Sequence, residues 1–514
     1  MKYKFFLFFL FLSSCRISAQ SFFQVGYHDQ DNSWANAFTK NATGGYCIIG
    51  QNENNNLVTR KIIIYNIDAE GTIIWSKKIE ANSNEYSSDI KQTLDKGYIF
   101  CGSTTGGTLG GADIFIAKID SAGSIIWSKC YGGNRNDNAS SILCASDSGF
   151  YVCGSTKSFG STTSSAFLMK VDKEGNVLWT KVNSSLDYNS YSSICFNNLG
   201  QLVAAGITFN YNTTIQYNLF TSLFDTSGNL ISSRRSSSFQ NKSIYLNNVF
   251  LASNGDVILT GSERYWNSSK DMIIICQESN GNIIWQRKYN QLGEGYSIAE
   301  DSLHNFHIAG EYYDGANPYS IPYILSIDRN GYILNASSYF DPQKFSGLRD
   351  IMITDDGMIS AVGFEGSESR FIKSELNLNS GCHEIQTSTT DSILITIDTS
   401  IVNQQFVQMS EDSILMHSNP AINQTTIYCH SIGINETFNN MMAVSPNPTS
   451  GKFKIQTNKI SSQILQIFND KGQIVMQKEF GENFVVVDMT NYLPGIYFFT
   501  IDNSKGGKII LLGK

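Results

Sequence analysis

The residue types that most often carry chemistry are scattered through this 514-residue sequence. Of its six histidines only His304 and His307, in "HNFH", are close together, and their spacing puts them on opposite faces of a strand, which is poor for a shared metal. The glycine-rich "TGGTLGGAD" (105–113) is followed by a strand pattern and lacks the helix N-terminus that a phosphate-binding loop needs. The stretch "DQDNS" (29–33) has oxygen ligands at calcium-like spacing but no glycine turn or closing glutamate. We therefore assign no catalytic residue, no metal site and no cofactor.

One carboxylate pattern does recur, and its spacing predicts a turn. Asp is favoured at the first position of a β-turn, where its carboxylate accepts backbone N–H groups, and Gly at the fourth, where φ is often positive. A glycosidase needs two carboxylates that face one cleft, whereas a carboxylate repeated throughout the chain fits a structural role. An acidic residue stands three positions before a glycine at Asp68, Asp120, Asp172, Asp225, Glu278 and Asp328.

The acidic residue belongs to a longer repeat. "IDAEGTIIW" (67–75) returns as "IDSAGSIIW" (119–127) and as "VDKEGNVLW" (171–179). A second marker, the glycine that closes patterns such as "GGYCIIG", recurs independently, and both markers count seven units of about fifty residues. The first marker glycines are Gly71, Gly123, Gly175, Gly228, Gly281, Gly331 and Gly381, and the second are Gly50, Gly102, Gly154, Gly206, Gly261, Gly310 and Gly363.

Each unit contains four short apolar runs and no helical periodicity, which is typical of a propeller blade. The sequence therefore predicts an all-β fold with a seven-bladed β-propeller. In the seventh unit "GCHEIQT" stands where the fourth strand should be, while "FFQVGYH" (22–28) resembles that missing strand. We expect the N-terminal strand to complete the last blade and close the ring.

A tryptophan follows the motif glycine by four positions, on the predicted outermost strand of the blade. A single thin sheet cannot bury two apolar faces alone, so we predict that this tryptophan packs between blades, each contributing about 2 to 3 kcal/mol. Stacking on sugar rings is the functional alternative. The residues assigned to turns and packing are Asp68, Gly71, Trp75, Asp120, Gly123, Trp127, Asp172, Gly175, Trp179, Gly281 and Trp285.

The N-terminus, "MKYKFFLFFLFLSSCRISAQ", reads as an export signal. Its apolar run, Phe5 to Leu12, is far shorter than the roughly twenty residues that span a bilayer. We expect cleavage after Ala19; in the alternative, "LSSC" is a lipoprotein site and Cys15 carries a lipid. An oxidising destination makes Cys382 and Cys429, which flank a polar segment, a candidate disulfide. The net charge of -8 and the lack of basic runs argue against nucleic acid as a partner.

The predicted domains are an export signal (1–19), the propeller (20–387), a spacer or irregular β segment (388–440) and a small C-terminal β-sandwich (441–514). The last domain contains "VSPNPTSGKFKI", "NDKG", "LPGIYFF" and "GGKIILLGK". These motifs resemble the type A C-terminal sorting domain of proteins exported by the type IX secretion system. The matching positions are Pro446, Asn447, Pro448, Thr449, Gly451, Asp470, Gly472, Gly495, Ile496, Tyr497 and Lys508.

This resemblance implies passage through the inner membrane, recognition of the folded tail by the type IX machinery, and cleavage of the tail. The cargo is then released or held at the outer-membrane surface by lipopolysaccharide. The repeats themselves resemble bacterial propeller repeats of quinoprotein type, and more closely the "YGG" repeats of secreted propellers, as in "CYGGNRNDNAS" (130–140).

The favoured function is a non-catalytic surface or secreted module that binds polysaccharide or a surface protein through blade loops. The long loops "TFNYNTTIQYN" (208–218) and "EYYDGANPYSIPY" (311–323) are rich in tyrosine, which suits such contacts. The alternative is a secreted polysaccharide hydrolase or lyase whose acid and base lie among the loop carboxylates.

Overall fold

The fold was obtained as a computed structural model, in which every regular element of the described residues is a β-strand. Residues Ser21–Ile432 form one compact unit, and the residues from Gly433 onward belong to another. Among the described residues there is no helix long and apolar enough to cross a bilayer. The structure describes residues 20–28, 31–54, 59–80, 83–107, 109–160, 163–183, 187–209, 216–238, 242–264, 270–290, 292–312, 319–339, 344–378, 385–386, 391–392, 395–398, 404–406, 410–413, 417–420, 424–433, 443–445, 449, 451–456, 462–469, 473–501 and 505–511.

The first strand, β1 (Gln20–His28), belongs to a sheet that the chain completes much later. The following strands form six sheets of four consecutive antiparallel strands, numbered here sheet 1 to sheet 6 in chain order. Sheets 1 to 3 consist of β2 (Asn32–Lys40), β3 (Tyr46–Asn54), β4 (Thr59–Ile67), β5 (Ile73–Glu80); β6 (Glu85–Gln92), β7 (Tyr98–Thr104), β8 (Asp113–Ile119), β9 (Ile125–Gly132); and β10 (Asp137–Cys144), β11 (Phe150–Thr156), β12 (Ser165–Val171), β13 (Val177–Asn183).

Sheets 4 to 6 repeat this order, and sheet 7 takes its fourth strand from the N-terminus. In sheet 7, β1 pairs with β28 so that Val25 lies opposite Phe371. The strands are β14 (Tyr188–Phe196), β15 (Leu202–Phe209), β16 (Tyr217–Phe224), β17 (Leu230–Ser238); β18 (Ser243–Leu251), β19 (Val257–Arg264), β20 (Asp271–Gln277), β21 (Ile283–Tyr289); β22 (Glu294–Glu300), β23 (Phe306–Tyr312), β24 (Ile321–Ile327), β25 (Ile333–Ser338); and β26 (Ser346–Ile353), β27 (Ile359–Glu365), β28 (Glu368–Ser374).

Each sheet shares an apolar core with the next one, and sheet 7 shares one with sheet 1. In that last core, Phe23 and Tyr27 of β1 and Phe371 of β28 pack with Tyr46 and Tyr65 of sheet 1, and all five are buried. The sheets of the described chain therefore form a closed ring, and the all-β propeller class predicted from the sequence is confirmed.

Residues 385–433, which we call the belt, add a fifth strand to every sheet. The belt passes the sheets in the order 6, 5, 4, 3, 2, 1 and 7, pairing with the fourth strand of each. The fourth strand, predicted to be outermost, is therefore covered along part of its edge, which blocks pairing with other chains. The belt strands are β29 (Ile385–Gln386), β30 (Asp391–Ser392), β31 (Ile395–Asp398), β32 (Gln404–Phe406), β33 (Ser410–Ser413), β34 (His417–Pro420) and β35 (Gln424–Gly433).

The innermost strand of each sheet carries one β-bulge at the same position. The second marker glycine pairs with the residue just before the bulge, where a Cβ at Gly50 would stand 2.0 Å from the carbonyl oxygen of Trp34. A Cβ on any of the six equivalent glycines would likewise stand 2.5 Å or less from a carbonyl oxygen, so the bulge explains this marker. The bulged residues are Asn36, Ser88, Ser140, Ser192, Asn247, Tyr296 and Arg349.

The antiparallel order puts the connections within the first and last strand pairs of each sheet at one end of the ring and the remaining connections at the other. The turns between first and second strands, such as 41–45, and between third and fourth strands, such as 68–72, share what we call the turn end. The connections between second and third strands, such as 105–112, and between sheets share the opposite end, called the loop end.

The C-terminal unit contains two antiparallel sheets, β36-β37-β40 and β39-β38-β41-β42. Phe453 and Val487 of the first sheet share a core with Leu465, Ile467 and Phe499 of the second, which is the arrangement of a β-sandwich. The strands are β36 (Ala443–Ser445), β37 (Lys452–Gln456), β38 (Gln463–Phe468), β39 (Ile474–Phe480), β40 (Phe484–Asp488), β41 (Gly495–Ile501) and β42 (Lys505–Leu511).

Candidate functional site

The repeated aspartates are used inside their own turns. The carboxylate of Asp68 accepts the backbone N–H of Glu70 at 3.0 Å and of Thr72 at 2.7 Å, and Gly71 closes the turn with φ of 84°. The same pair of hydrogen bonds forms at Asp120, Asp172, Asp225 and Asp328. These carboxylates therefore act as turn caps.

The seventh turn differs from the position assigned by sequence. Leu378 adopts a φ of 69° and donates its N–H to the carbonyl of Glu375, as the motif glycine does in the other turns. The hydroxyl of Tyr339 reaches the carbonyl of Leu378, just as Tyr289 reaches that of Gly331. Leu378 is thus the equivalent of the motif glycine; Gly381, which we aligned there, lies outside the described residues.

The repeated tryptophans contact the turn of the following sheet. The indole Nε1 of Trp75, Trp127 and Trp285 donates at 3.0 Å to the carbonyl two residues before the next motif glycine. A Cβ on Gly175 would stand 2.8 Å from the Trp127 ring, so the glycine leaves room for the indole. Sheet 4 lacks this tryptophan, and there Arg234 lies against Gly281.

Trp179 departs from this pattern. Its ring lies against Gly228 as expected, but no hydrogen bond from its indole nitrogen is found in the described part of the chain. The equivalent carbonyl, that of Thr226, accepts the hydroxyl of Tyr151 at 3.1 Å instead. The two rings are 6.0 Å apart, and a cavity opens beside them.

The innermost strands of all seven sheets surround a central channel of about 730 Å³. All seven bulged residues line it, and five of them are Asn or Ser. The exceptions are Tyr296 on sheet 6 and Arg349 on sheet 7, which place the larger side chains on one side of the channel. The repeat therefore lines the channel with a ring of bulged residues that is polar except for one distinct wall.

In that wall, Tyr296 and Arg349 are held by two carboxylates. The guanidinium carbon of Arg349 lies 4.0 Å from the centre of the Tyr296 ring, and its Nη1 donates to Glu311 at 3.1 Å. The hydroxyl of Tyr296 donates to Glu311 at 2.7 Å, while Glu294 accepts Asn247 at 3.1 Å.

The charges in this wall favour binding over acid–base chemistry. Although burial opposes it, Lys270 lowers the pKa of Glu294, and burial raises the pKa of Tyr296 well above its ordinary range. At neutral pH the tyrosine is therefore protonated and the glutamate ionised. A glycosidase acid would need a raised carboxyl pKa at this place.

Two carboxylates that line the channel, the buried Asp89 and the partly buried Asp350, join neighbouring sheets. Asp89 of sheet 2 accepts Ser141 of sheet 3 at 2.9 Å. Asp350 of sheet 7 accepts Ser297 of sheet 6 at 2.7 Å and the backbone N–H of Phe38 of sheet 1 at 3.1 Å. Burial raises the pKa of Asp350. These bonds tie the inner strands together around the channel.

Two more tyrosine–arginine contacts resemble the Tyr296–Arg349 pair. The guanidinium of Arg264 lies 4.5 Å from the Tyr245 ring and donates to its hydroxyl at 3.0 Å. That of Arg60 lies 5.2 Å from the Tyr86 ring and donates at 3.3 Å. Tyr86 and Tyr245 each precede a bulged residue by two positions, toward the loop end of the inner strand. Sequence reasoning missed all three pairs.

A serine–histidine–aspartate arrangement occurs in sheet 6, but it is buried. His307 contacts Ser326 through Nδ1 at 2.7 Å and Asp301 through Nε2 at 3.1 Å. All three residues are at most 5% exposed, so no substrate reaches the hydroxyl. Although burial opposes it, the hydrogen bonds from His307 and Asn305 lower the pKa of Asp301 to about 2. The exposed His304 contacts Glu300 instead.

The predicted tail residues are described only in part. The backbone N–H of Gly451 donates to the Thr449 hydroxyl at 3.1 Å, and the hydroxyl of Tyr497 donates to the Leu493 carbonyl at 2.7 Å. Gly495 and Lys508 lie in β41 and β42. Ala19, Cys382, Pro446, Asn447, Pro448, Asp470 and Gly472 lie outside the described residues, as does the side chain of Cys429. Cys47, Cys101, Cys144, Cys153, Cys195 and Cys276 carry free thiols.

A protein-family model described as "Secretion system C-terminal sorting domain" matches residues 443–511. This segment is a type IX sorting domain. The chain is therefore cargo of the type IX secretion machinery and is exported to the cell surface or beyond it. No curated protein matches the chain.

Several solved structures are similar to the chain. A protein of unknown function from Bacteroides caccae is 11% identical, with a TM-score of 0.34, covering 59% of this chain and 93% of that one. PorZ, a surface component of the type IX secretion system of Porphyromonas gingivalis, is 11% identical, with a TM-score of 0.34, covering 91% and 74%. The Pan2 WD40 domain of Neurospora crassa is 12% identical, with a TM-score of 0.43, covering 70% and 96%. At these identities the similarity concerns the fold alone.

Proposed function

We propose that the ring is a non-catalytic glycan-binding module that the sorting domain delivers to the cell surface or the medium. The observation that carries this proposal is a set of three tyrosine–arginine pairs whose tyrosines lie on the inner strands: Arg60 with Tyr86, Arg264 with Tyr245, and Arg349 with Tyr296. We expect polysaccharide to bind where these pairs meet the loop end of the channel.

The chemistry of such a pair suits a polysaccharide that bears carboxylate or sulfate groups. A tyrosine ring offers an apolar face to the C–H groups of a sugar, and a guanidinium has five N–H donors in a fixed fork. Arg264 uses one of its nitrogens on the Tyr245 hydroxyl, so further donors are left for an anionic group. The Asn and Ser side chains of the channel add neutral partners for hydroxyls.

The hydrolase or lyase alternative has less support from the carboxyls in and beside the channel. Asp350 lines the channel and has a raised pKa, but it accepts hydrogen bonds from Ser297 and from the backbone N–H of Phe38. Glu294 and Glu311 both accept hydrogen bonds from neighbouring side chains, and the pKa of Glu294 is lowered. A retaining or inverting mechanism needs one carboxyl held protonated beside an ionised one. The geometry of the channel wall therefore favours recognition of a ligand.

The test is a glycan array probed with the full chain, run beside a turnover screen on the polysaccharides that bind. We expect binding to acidic glycans that falls about tenfold or more in Tyr245→Ala and in Arg264→Ala, because each removes one face of a pair. Arg234→Ala, at the turn end against Gly281, is the matched control and should bind normally. Unchanged binding in the Tyr245 and Arg264 variants, or turnover that one carboxylate substitution abolishes, would contradict the proposal.

A further inference from the structure

A groove between sheets 3 and 4, at the turn end, has the composition of a sugar site. It holds about 580 Å³ and is lined by Trp179, Tyr151 and Phe196, together with Asp147 and Lys170. The rings of Tyr151 and Phe196 meet edge to face at 5.9 Å. Flat apolar walls with a few polar groups, at this volume, are typical of small-ligand sites.

The groove follows from a local departure from the repeat. Three sister tryptophans donate their indole N–H to the next turn, whereas Tyr151 occupies the carbonyl of Thr226 that Trp179 would use. Tyr151 and Phe196 stand where sheets 2 and 3 have Ile99 and Cys144. The Trp179 N–H, unbonded among the described residues, is thus available to a ligand.

The equivalent groove between sheets 2 and 3 provides an internal comparison. It is lined by Asp95, Lys118 and Cys144, and holds only about 160 Å³. There the Trp127 indole is bonded to the Lys173 carbonyl at 3.0 Å. The groove between sheets 3 and 4 is therefore larger and more aromatic than its counterpart between sheets 2 and 3.

The charges of the groove favour a neutral ligand. Lys170 donates to Asp147 at 2.8 Å and lies 4.0 Å from the centre of the Tyr151 ring. The ammonium and the carboxylate compensate each other, so the groove offers donors and acceptors without net charge. A neutral hexopyranose matches these features, because it has one apolar C–H face and a rim of hydroxyls.

We propose that this groove binds a neutral hexopyranose unit of a polysaccharide, with the sugar ring against Trp179 and a sugar oxygen accepting the indole N–H. This second site is separate from the channel and does not depend on the tyrosine–arginine pairs. It assigns to Trp179 a role that Trp75, Trp127 and Trp285 do not share.

The test is native affinity electrophoresis of the full chain in gels that contain dextran, laminarin or yeast mannan. We expect at least one of these neutral polysaccharides to retard the protein. Trp179→Ala should raise the dissociation constant about tenfold or more, while Trp127→Ala, the matched loss of an inter-sheet indole, should leave it within about twofold. Thermal unfolding of both variants reports whether each is folded.

Tyr151→Phe provides a second variant that preserves packing. Removing the hydroxyl frees the Thr226 carbonyl for the Trp179 indole, so we expect weaker retardation with an unchanged melting temperature. The channel variant Arg264→Ala should leave retardation by neutral polysaccharide intact. The inference is overturned if none of the three polysaccharides retards the wild type, or if Trp179→Ala and Tyr151→Phe both bind normally. Neither result bears on acidic-glycan binding at the channel, which the glycan array tests separately.

Discussion

The hydroxyl of Tyr27 donates a 2.6 Å hydrogen bond to the carbonyl oxygen of Gly71 and thereby joins sheet 7 to sheet 1. Tyr131 makes the same bond, at 2.6 Å, to Gly175 between sheets 2 and 3. Phe23 precedes Tyr27 by four residues, as Trp127 precedes Tyr131, and its ring contacts Gly71. The N-terminal strand therefore repeats the inter-sheet contacts of an ordinary fourth strand.

Loss of the Phe23 ring should destabilise the ring at its closure. Phe23 is fully buried in the core between sheets 7 and 1, so Phe23→Ala should cost about 3 to 5 kcal/mol of unfolding free energy. Tyr27→Phe, which removes only the hydroxyl, should cost about 1 to 3 kcal/mol because it leaves the Gly71 carbonyl unpaired. Denaturant unfolding gives both values, and a cost near zero for Phe23→Ala would argue against closure by this strand.

A methyl group at the bulge-facing glycine should be poorly tolerated. The Cβ of an alanine at Gly154 would lie 2.0 Å from the carbonyl oxygen of Asn138, which backbone pairing holds in place. We expect Gly154→Ala to lower the unfolding free energy by about 3 kcal/mol. Gly481→Ala, where no atom lies within 4 Å, is the control and should unfold like the wild type; equal stability of the two variants would refute the bulge argument.

Asp113 should make stability fall as pH rises. Its carboxylate is buried beside that of Asp137. Burial and then the Asp137 charge raise the pKa of Asp113 from 3.8 to about 6. The folded state therefore holds a proton that the unfolded chain releases between about pH 4 and pH 6.

The difference between a pKa of 3.8 and one of about 6 corresponds to about 3 kcal/mol of unfolding free energy, present below about pH 4 and lost by about pH 6. Asp113→Asn keeps the shape without the charge, so it should be more stable than the wild type at pH 7 and should lack this pH dependence. Chemical unfolding at pH 4, 5, 6 and 7 checks both points. If the unfolding free energies of the two proteins changed with pH in parallel, Asp113 would ionise in the folded state without loss of stability.

The belt should protect the outer edges of the sheets. A chain that ends at Leu378 lacks β29 to β35 and exposes the fourth strands, whose unpaired N–H and C=O groups can pair with other molecules. We expect this chain to self-associate in light scattering, whereas a chain that ends at Gly433, which lacks only the sorting domain, should remain monomeric. A monomeric chain ending at Leu378 with an unchanged melting temperature would mean that the belt has no protective role.

The ring could be predicted from the sequence because its turns require particular residue types. Asp68 and Gly71 are the residue types that one turn requires, and Gly50 is the residue type that a bulge requires. Both markers could therefore be recognised without the structure. The seventh turn was misplaced because nothing in the sequence indicates that Leu378 adopts a positive φ. The belt was not predicted because its strands are mostly two to four residues long and pair with strands that are far away in sequence.

The tyrosine–arginine pairs could not be predicted from the sequence for a different reason. The Arg264–Tyr245 pair joins residues of two adjacent strands, but the Arg60–Tyr86 and Arg349–Tyr296 pairs join different sheets, so their proximity depends on the ring itself. The spacing of Phe23 and Tyr27, by contrast, matches that of Trp127 and Tyr131 and was a usable signal.

Hydrogen exchange of the peptide that contains β1 is the most direct test of the closed ring. Because β1 lies between β28 and β35, its amides should exchange about as slowly as those of β28 and should lose protection only with global unfolding. Exchange of Phe23 to Tyr27 within seconds, while β28 remains protected, would show that the N-terminal strand does not close the ring.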